Sequence, residues 1–400
     1  MKPDTAGPGI RSGNGGVASS SSHQPVARRK PAETVLVITD RMLFPIVEGT
    51  RARIVDLIRT LRALGFRVVL VGRRPLRWRR RLRTRLLANH VSFVNAPGFG
   101  SGSPLSHDSS PYWEAIDEAL RRFRPEIVIA EYLWMAPCLD RVGPGSLKCI
   151  DTIDVMHVRR HMYAGEGMGA WVDCSDTEEA QLLRKADVVI AIQSHEKAEF
   201  AELVPDRPVI CISHAVPLRL PRWGRTTEPN SVMFVGSMNQ GNVAGINAFL
   251  SDGWPLVMEA LPSVEIRVYG SIGRRISGDV AQVRRLGYVR FLARAYHSAA
   301  VVINPVTLGT GLKIKTVEAL AHGKAVVTTA CGAEGLEDGA REAFLVADTM
   351  AEMAEEVVRV LRSPDLRRKL ERNAAAFARE QFAPEAVFRE FLDLCQGRRT

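Results

Sequence analysis

Short uninterrupted apolar runs, each followed by helical periodicity, recur along this sequence in two separate series, and that alternation constrains the fold more than any other feature. Val35-Leu-Val-Ile-Thr39 is the first such run, the length of a strand buried on both faces of a parallel sheet. Ile54, Leu57, Ile58, Leu61 and Leu64 then recur at helical spacing, Gly65 supplies a C-cap, and Val68-Val-Leu-Val71 reads as the next strand. The pattern continues through Val91–Val94, a helix over Trp113–Phe123, and strands at Ile127–Ala130, Val188–Ile192 and Val209–Ile212. After a stretch containing Pro217, Pro221 and Pro229, it restarts at Val232-Met-Phe-Val-Gly236. A helix from about Ala244 to Ala260, strands at Val264–Val268 and Ala300–Asn304, a helix near Lys313–His322 and a strand at Ala325–Thr329 follow.

The spacing predicts an α/β protein of two doubly wound, Rossmann-like domains facing a central cleft. Their expected limits are 33–216 and 231–384, with 217–230 as linker and a C-terminal helix over 385–400 packing back on the first domain. Residues 1–32, rich in Gly, Ser, Pro and Ala, read as a disordered tail. A length of 400 residues favours two cores over one.

Composition narrows the class. With 46% hydrophobic and 24% charged residues the chain is of ordinary globular type. It has no apolar run long enough to span a bilayer and no apolar segment near its start of the kind an export signal needs. The expected location is cytoplasmic, or peripheral on the inner face of a membrane. Cys138, Cys149, Cys174, Cys211, Cys331 and Cys395 are scattered without a CxxC pair and read as reduced thiols. His157 and His161 stand four apart with Cys174 beyond them, but no fourth ligand is suggested, so no metal is expected. A net charge of +10 points to anionic partners.

The segment richest in chemistry runs from Asn304 to Thr329, followed by Gly332-Ala-Glu-Gly-Leu336. A strand enters a glycine turn and a helix follows at once. Gly309 and Gly311 allow the backbone to approach a ligand closely, so that amides at the helix start face an anion, and Lys313 adds a full positive charge. A lysine about 4 Å from a phosphate contributes roughly 4 kcal/mol in a partly solvated site, before desolvation is subtracted. Diphosphate matches this arrangement best. Glu318 lies further along the same helix, where it either accepts from ribose hydroxyls or is an ordinary helix residue.

The block Gly309-Thr-Gly-Leu-Lys-Ile-Lys-Thr-Val-Glu318, continuing to Thr329 and Leu336, resembles the donor-binding block of the retaining nucleotide-sugar glycosyltransferases of family 4. The resemblance extends over roughly Thr34 to Leu394, through Glu48-Gly49-Thr-Arg51, Lys185-Ala-Asp-Val-Val-Ile-Ala191, Phe234-Val-Gly-Ser237 and Leu286-Gly-Tyr-Val289. It implies a GT-B fold and transfer of a sugar from a nucleoside-diphosphate sugar with retention of configuration, without a cofactor or metal. It further implies that Gly311 and the amides of Leu312, Lys313 and Ile314 meet the diphosphate, Glu318 the ribose, and Gly236 with Ser237 the phosphate side. Gly49 closes from the other domain, and Lys313 and Glu318 are the expected catalytic pair. Two positions depart from the family pattern: Thr310 stands where the first of two glutamates is usual, and Ile153 where a histidine often precedes Asp154. Asp154 and His157 are the acceptor-side candidates. The rival reading is a catalytically silent GT-B scaffold that binds a nucleotide sugar or a partner protein.

Arg73 to Leu87 contains no acidic residue and places Trp78, Leu82, Leu86 and Leu87 at helical spacing among arginines. Such a helix suits an anionic membrane surface, or else forms a solvated basic face whose apolar residues pack on the domain. A membrane-facing role would make the acceptor a glycan or lipid-linked saccharide of envelope or exopolysaccharide synthesis. No nucleic-acid module accompanies the arginines, so nucleic acid is not expected as a partner.

Overall fold

The computed structural model describes residues 33–165, 167, 169–220, 227–289, 291–309 and 311–398. The expected tail over 1–32, part of the expected linker including Pro221, and Thr310 lie outside the described residues.

Two parallel sheets form the frame. The first holds β1 (Thr34–Thr39), β2 (Arg67–Arg73), β3 (His90–Val94), β4 (Ile127–Glu131), β5 (Leu147–Asp151), β6 (Val188–Ala191) and β7 (Val209–Cys211) in the order β3-β2-β1-β4-β5-β6-β7. The second holds β8 (Ser231–Val235), β9 (Glu265–Tyr269), β10 (Val283–Gly287), β11 (Val301–Asn304), β12 (Val326–Thr329) and β13 (Leu345–Ala347) in the order β10-β9-β8-β11-β12-β13. Val35 to Ile38 are wholly buried, with Val35 opposite Val68 of β2 and Ile127 of β4, as an apolar central strand covered by helices on both faces requires. The winding reverses between β1 and β4 and between β8 and β11. Ligand crevices open beyond the C-terminal strand ends at such reversals.

Three strands escape the apolar-run criterion for physical reasons. In β5 the half-exposed Lys148 breaks the run, β10 is an edge strand carrying Arg284 and Arg285, and β13 is three residues long. The helix expected from Ala244 begins earlier, at Gln240, because the side chain of Asn239 caps it by accepting from Asn242 N at 2.8 Å. It then widens over Phe249–Gly253 before continuing as Trp254–Ala260. Gly241 and Gly245 stand one turn apart on it, and a β-carbon on either would overlap the carbonyl of Leu308 or Pro305. Glycine thus seats this helix directly against the loop after β11.

The last helix, Arg389–Gly397, lies on the first sheet. Phe391 is buried with its ring 5.8 Å from that of Phe66, and Glu390 accepts from Cys211 N at 3.0 Å and Lys197 Nζ at 2.8 Å. Deep in the same domain Arg53 forms a bidentate pair with Asp151, at 3.1 and 2.8 Å, and donates to the carbonyls of Ile212 and Ser213. Removing one partner of so buried a pair costs about 3 to 5 kcal/mol, so this contact fixes how the first helix sits over β5. None of the six cysteines is in a disulfide.

The basic segment divides. Arg73 ends β2, and the helix covers Trp78–Leu87. Leu87 packs into the domain, whereas Leu76, Trp78, Leu82 and Leu86 stand 82%, 67%, 50% and 70% exposed. No helix among the described residues is long and apolar enough to cross a membrane.

Candidate active site

The glycine turn after β11 faces the first domain. Gly309 and Gly311 have φ of 129° and 77°, conformations that L side chains resist, and the helix Ile314–Ala321 starts directly after. Across from this turn lies the first domain. Gly49 opens the helix Gly49–Ala63, and a β-carbon there would stand 3.3 Å from Ile314 Cδ1. A β-carbon at Gly311 would stand 3.3 Å from Glu196 Oε1, 3.6 Å from Asp154 Oδ1 and 3.7 Å from the carbonyl of Ile153. The structure therefore brings Gly49 next to Ile314, and Gly311 next to Asp154 and Glu196.

Ile153 has a φ of 67°, an outlier for a β-branched residue, and this twist aims its carbonyl at the turn. Asp154 is held by Arg159. His157 faces elsewhere. Its Nδ1 lies 2.7 Å from Glu179 and its Nε2 3.3 Å from Glu199, and Glu179 also accepts from His157 N at 2.8 Å. The hydrogen bond to Glu179 outweighs partial burial and raises its pKa. Among the described residues no group of His, Cys, Asp and Glu has the geometry of a metal site.

Two lysines flank the helix start. Lys313 Nζ donates to the carbonyls of Gly309 and Gly311 at 3.0 and 2.6 Å and pairs with Glu334 Oε2 at 2.9 Å. Lys315, which the sequence reading passed over, touches Asn242 Oδ1 and lies 5.1 Å above the Phe234 ring. Asn242 in turn donates from Nδ2 to the carbonyl of Ser237 at 2.9 Å, beside Gly236. Gly236, Ser237 and Lys315 are thereby one neighbourhood at the end of β8. Burial, and then the charge of Lys313, bring Lys315 down to about 7.

Glu318 faces Tyr296, whose hydroxyl donates to Oε2 at 3.4 Å. Burial pushes its carboxyl up to about 7, against the opposing pull of Arg219 and with the help of Asp56. Gln193 also spans the cleft, donating from Nε2 to Glu334 Oε1 at 3.2 Å. Gln193 and Glu196 carry no sequence signal of their own. They sit at the start of the helix Ser194–Leu203, and only the fold brings them to the turn.

Two facing Rossmann-like domains with a glycine turn, helix amides and lysines at their cleft define the GT-B class. Family models agree: "Glycosyl transferase 4-like domain" matches residues 48–215 and "Glycosyl transferases group 1" matches 229–363. The chain belongs to the group 1 glycosyltransferases. Among solved structures, sucrose-phosphate synthase from Thermosynechococcus elongatus is similar at TM-score 0.68 and 16% identity, over 91% of this chain and 98% of that one. Anabaena HepE with UDP and glucose is similar at TM-score 0.66 and 14% identity, over 91% and 99%. An "Uncharacterized 44.6 kDa protein in cps region" of Klebsiella pneumoniae is 23% identical over 170 residues, 40% of this chain and 44% of that protein. The matched stretch spans less than half of that curated relative.

Proposed function

We propose that the chain is a retaining, metal-independent glycosyltransferase that moves a sugar from a nucleoside-diphosphate sugar to an acceptor hydroxyl. The observation that carries this reading is the convergence of the Gly311 turn, Lys313, Lys315 and Ser237 at one helix start, an arrangement suited to diphosphate. The amides of Leu312, Lys313 and Ile314 and both lysines receive the diphosphate, Glu318 accepts from ribose, and Gly49 covers the donor. In the transfer, the bond between the anomeric carbon and the diphosphate oxygen breaks and its electron pair leaves with the nucleoside diphosphate. The acceptor oxygen bonds to the same face of that carbon and gives up its proton to an oxygen of the departing diphosphate. Lysine and helix-end charge stabilise the leaving group, so this chemistry does not require a divalent ion.

The proposed acceptor is a glycan or lipid-linked saccharide. The origin of the Klebsiella relative in a cps region supports a polysaccharide product, and S. aureus TarM in complex with fondaparinux, α-GlcNAc-glycerol and UDP is a fold neighbour at TM-score 0.68 and 11% identity, over 90% of this chain and 99% of that one. Exposed Leu76, Trp78, Leu82 and Leu86 among arginines fit peripheral attachment to an anionic membrane. The test is NMR analysis of the product formed from nucleotide sugars and a lipid-linked glycan extract in the presence of EDTA. A new glycoside with the donor's anomeric configuration supports the proposal. An inverted product, or transfer that EDTA abolishes, would refute it.

A further inference from the structure

Glu196 is 2% exposed, and its Oε1 has no hydrogen-bond partner among the described residues. Its other oxygen accepts from Ile192 N at 3.3 Å, which leaves Oε1 pointing at the cleft wall formed by Gly311. A polar atom buried without a partner is costly, and a ligand group at the glycine turn would relieve that cost. Beside it stands Asp154, also facing Gly311. We propose that Glu196, reaching the turn from the opposite domain, recognises the transferred sugar of the donor by hydrogen bonding to its ring hydroxyls, with Asp154 completing that wall.

The distribution of charge assigns the ligand part. Lys313 and Lys315 cluster at the helix start with Ser237, where a diphosphate belongs, while Glu196 and Asp154 make the opposing wall acidic. Carboxyl groups repel phosphate and suit the neutral, hydroxyl-rich portion of the same molecule. Burial first, then the charge of Asp154, hold the Glu196 carboxyl well above the usual range. It thus keeps its proton more readily than an exposed glutamate, and a protonated carboxyl both donates to and accepts from hydroxyls. A β-carbon at Gly311 would already crowd Oε1 at 3.3 Å, so only glycine lets the turn lie this close to the carboxyl.

This assignment rests on the donor reading above, and the experiment separates the two. The full chain is titrated with UDP, GDP, dTDP and ADP and with UDP-glucose, GDP-mannose, dTDP-glucose and ADP-glucose, and the tightest pair is carried to Glu196→Gln and Glu196→Asp. The first variant keeps an oxygen for Ile192 N; the second withdraws the carboxyl by one methylene. Expected is an unchanged affinity for the free nucleotide, within about twofold, with about tenfold or greater loss for the sugar nucleotide, since sites built to hydrogen-bond hydroxyls discriminate strongly. If the variants bind nucleotide and sugar nucleotide with the same ratio as the native chain, Glu196 does not read the sugar and only this inference falls. If no nucleotide binds the native chain, the donor site and this inference fall together.

Discussion

Lys313 Nζ stands 2.9 Å from Oε2 of Glu334, and the other oxygen of Glu334 accepts from Gln193 of the facing domain. The lysine expected to meet diphosphate is thus already held by a carboxylate that also bridges the cleft, and a diphosphate must compete with Glu334 for it. Glu334→Gln removes the competing charge while keeping an oxygen for Gln193. It is expected to tighten nucleoside-diphosphate binding about threefold to tenfold, the range set by a partly exposed ion pair of about 1 kcal/mol. Calorimetric titration decides it: weaker binding would show that Glu334 assists the ligand.

Lys315 gives a proton-linked signature. Its pKa of about 7 leaves it mostly neutral at pH 8, and a dianion placed beside it would draw the proton back. Nucleoside-diphosphate binding at pH 8 should therefore take up protons, seen as a dependence of the binding heat on buffer ionisation enthalpy. Lys315→Met should abolish most of that uptake. Unchanged uptake in the variant would assign the proton to another group.

Glu318 predicts a pH-dependent cost. Its carboxyl titrates near 7 in the fold, against the ordinary glutamate value in the unfolded chain. Below the ordinary value both states are protonated and there is no penalty; as pH rises toward 7 the unfolded chain ionises first, and the penalty reaches its full size above 7. Glu318→Gln should thus be more stable than the native protein at pH 8, by about 2 to 3 kcal/mol, with the gain vanishing near pH 4.5. Urea unfolding at the two pH values measures it, and an equal difference at both would contradict the shift.

The sequence made the architecture legible because buried parallel strands write themselves as uninterrupted apolar runs, as Val35–Ile38 and Val301–Ile303 do. It made half of the cleft legible too, since Gly309, Gly311, Lys313 and Glu318 are close neighbours in the chain. What it concealed depends on contact between distant segments. Glu196 reads as a polar residue in the first turn of a helix, and only the packing of that helix against Gly311 makes its carboxyl part of the cleft. Lys315 stands two residues from Lys313 and meets Asn242, which in turn holds Ser237, a contact between segments far apart in the chain. His157 shows the reverse: a histidine beside a motif that the fold commits to Glu179 and Glu199.

The basic helix offers a test independent of the cleft. Trp78→Ser, Leu82→Ser and Leu86→Ser together replace side chains that are already exposed, so the melting temperature should change by no more than a few degrees. Co-sedimentation with vesicles containing phosphatidylglycerol should be strong for the native protein, fall at high salt and be largely lost in the triple variant. Equal sedimentation of both proteins would remove the helix from the membrane account.

The donor site is tested most directly by calorimetric titration of the full chain with UDP, GDP, dTDP and ADP, repeated with Lys313→Ala and Glu318→Ala. The account predicts that one nucleotide binds the native protein and that each substitution weakens it about tenfold or more, a loss of at least roughly 1.4 kcal/mol. Failure of all four to bind at millimolar concentration, or binding indifferent to both substitutions, would contradict a donor site at the Gly311 turn and leave the chain a GT-B scaffold without the proposed activity.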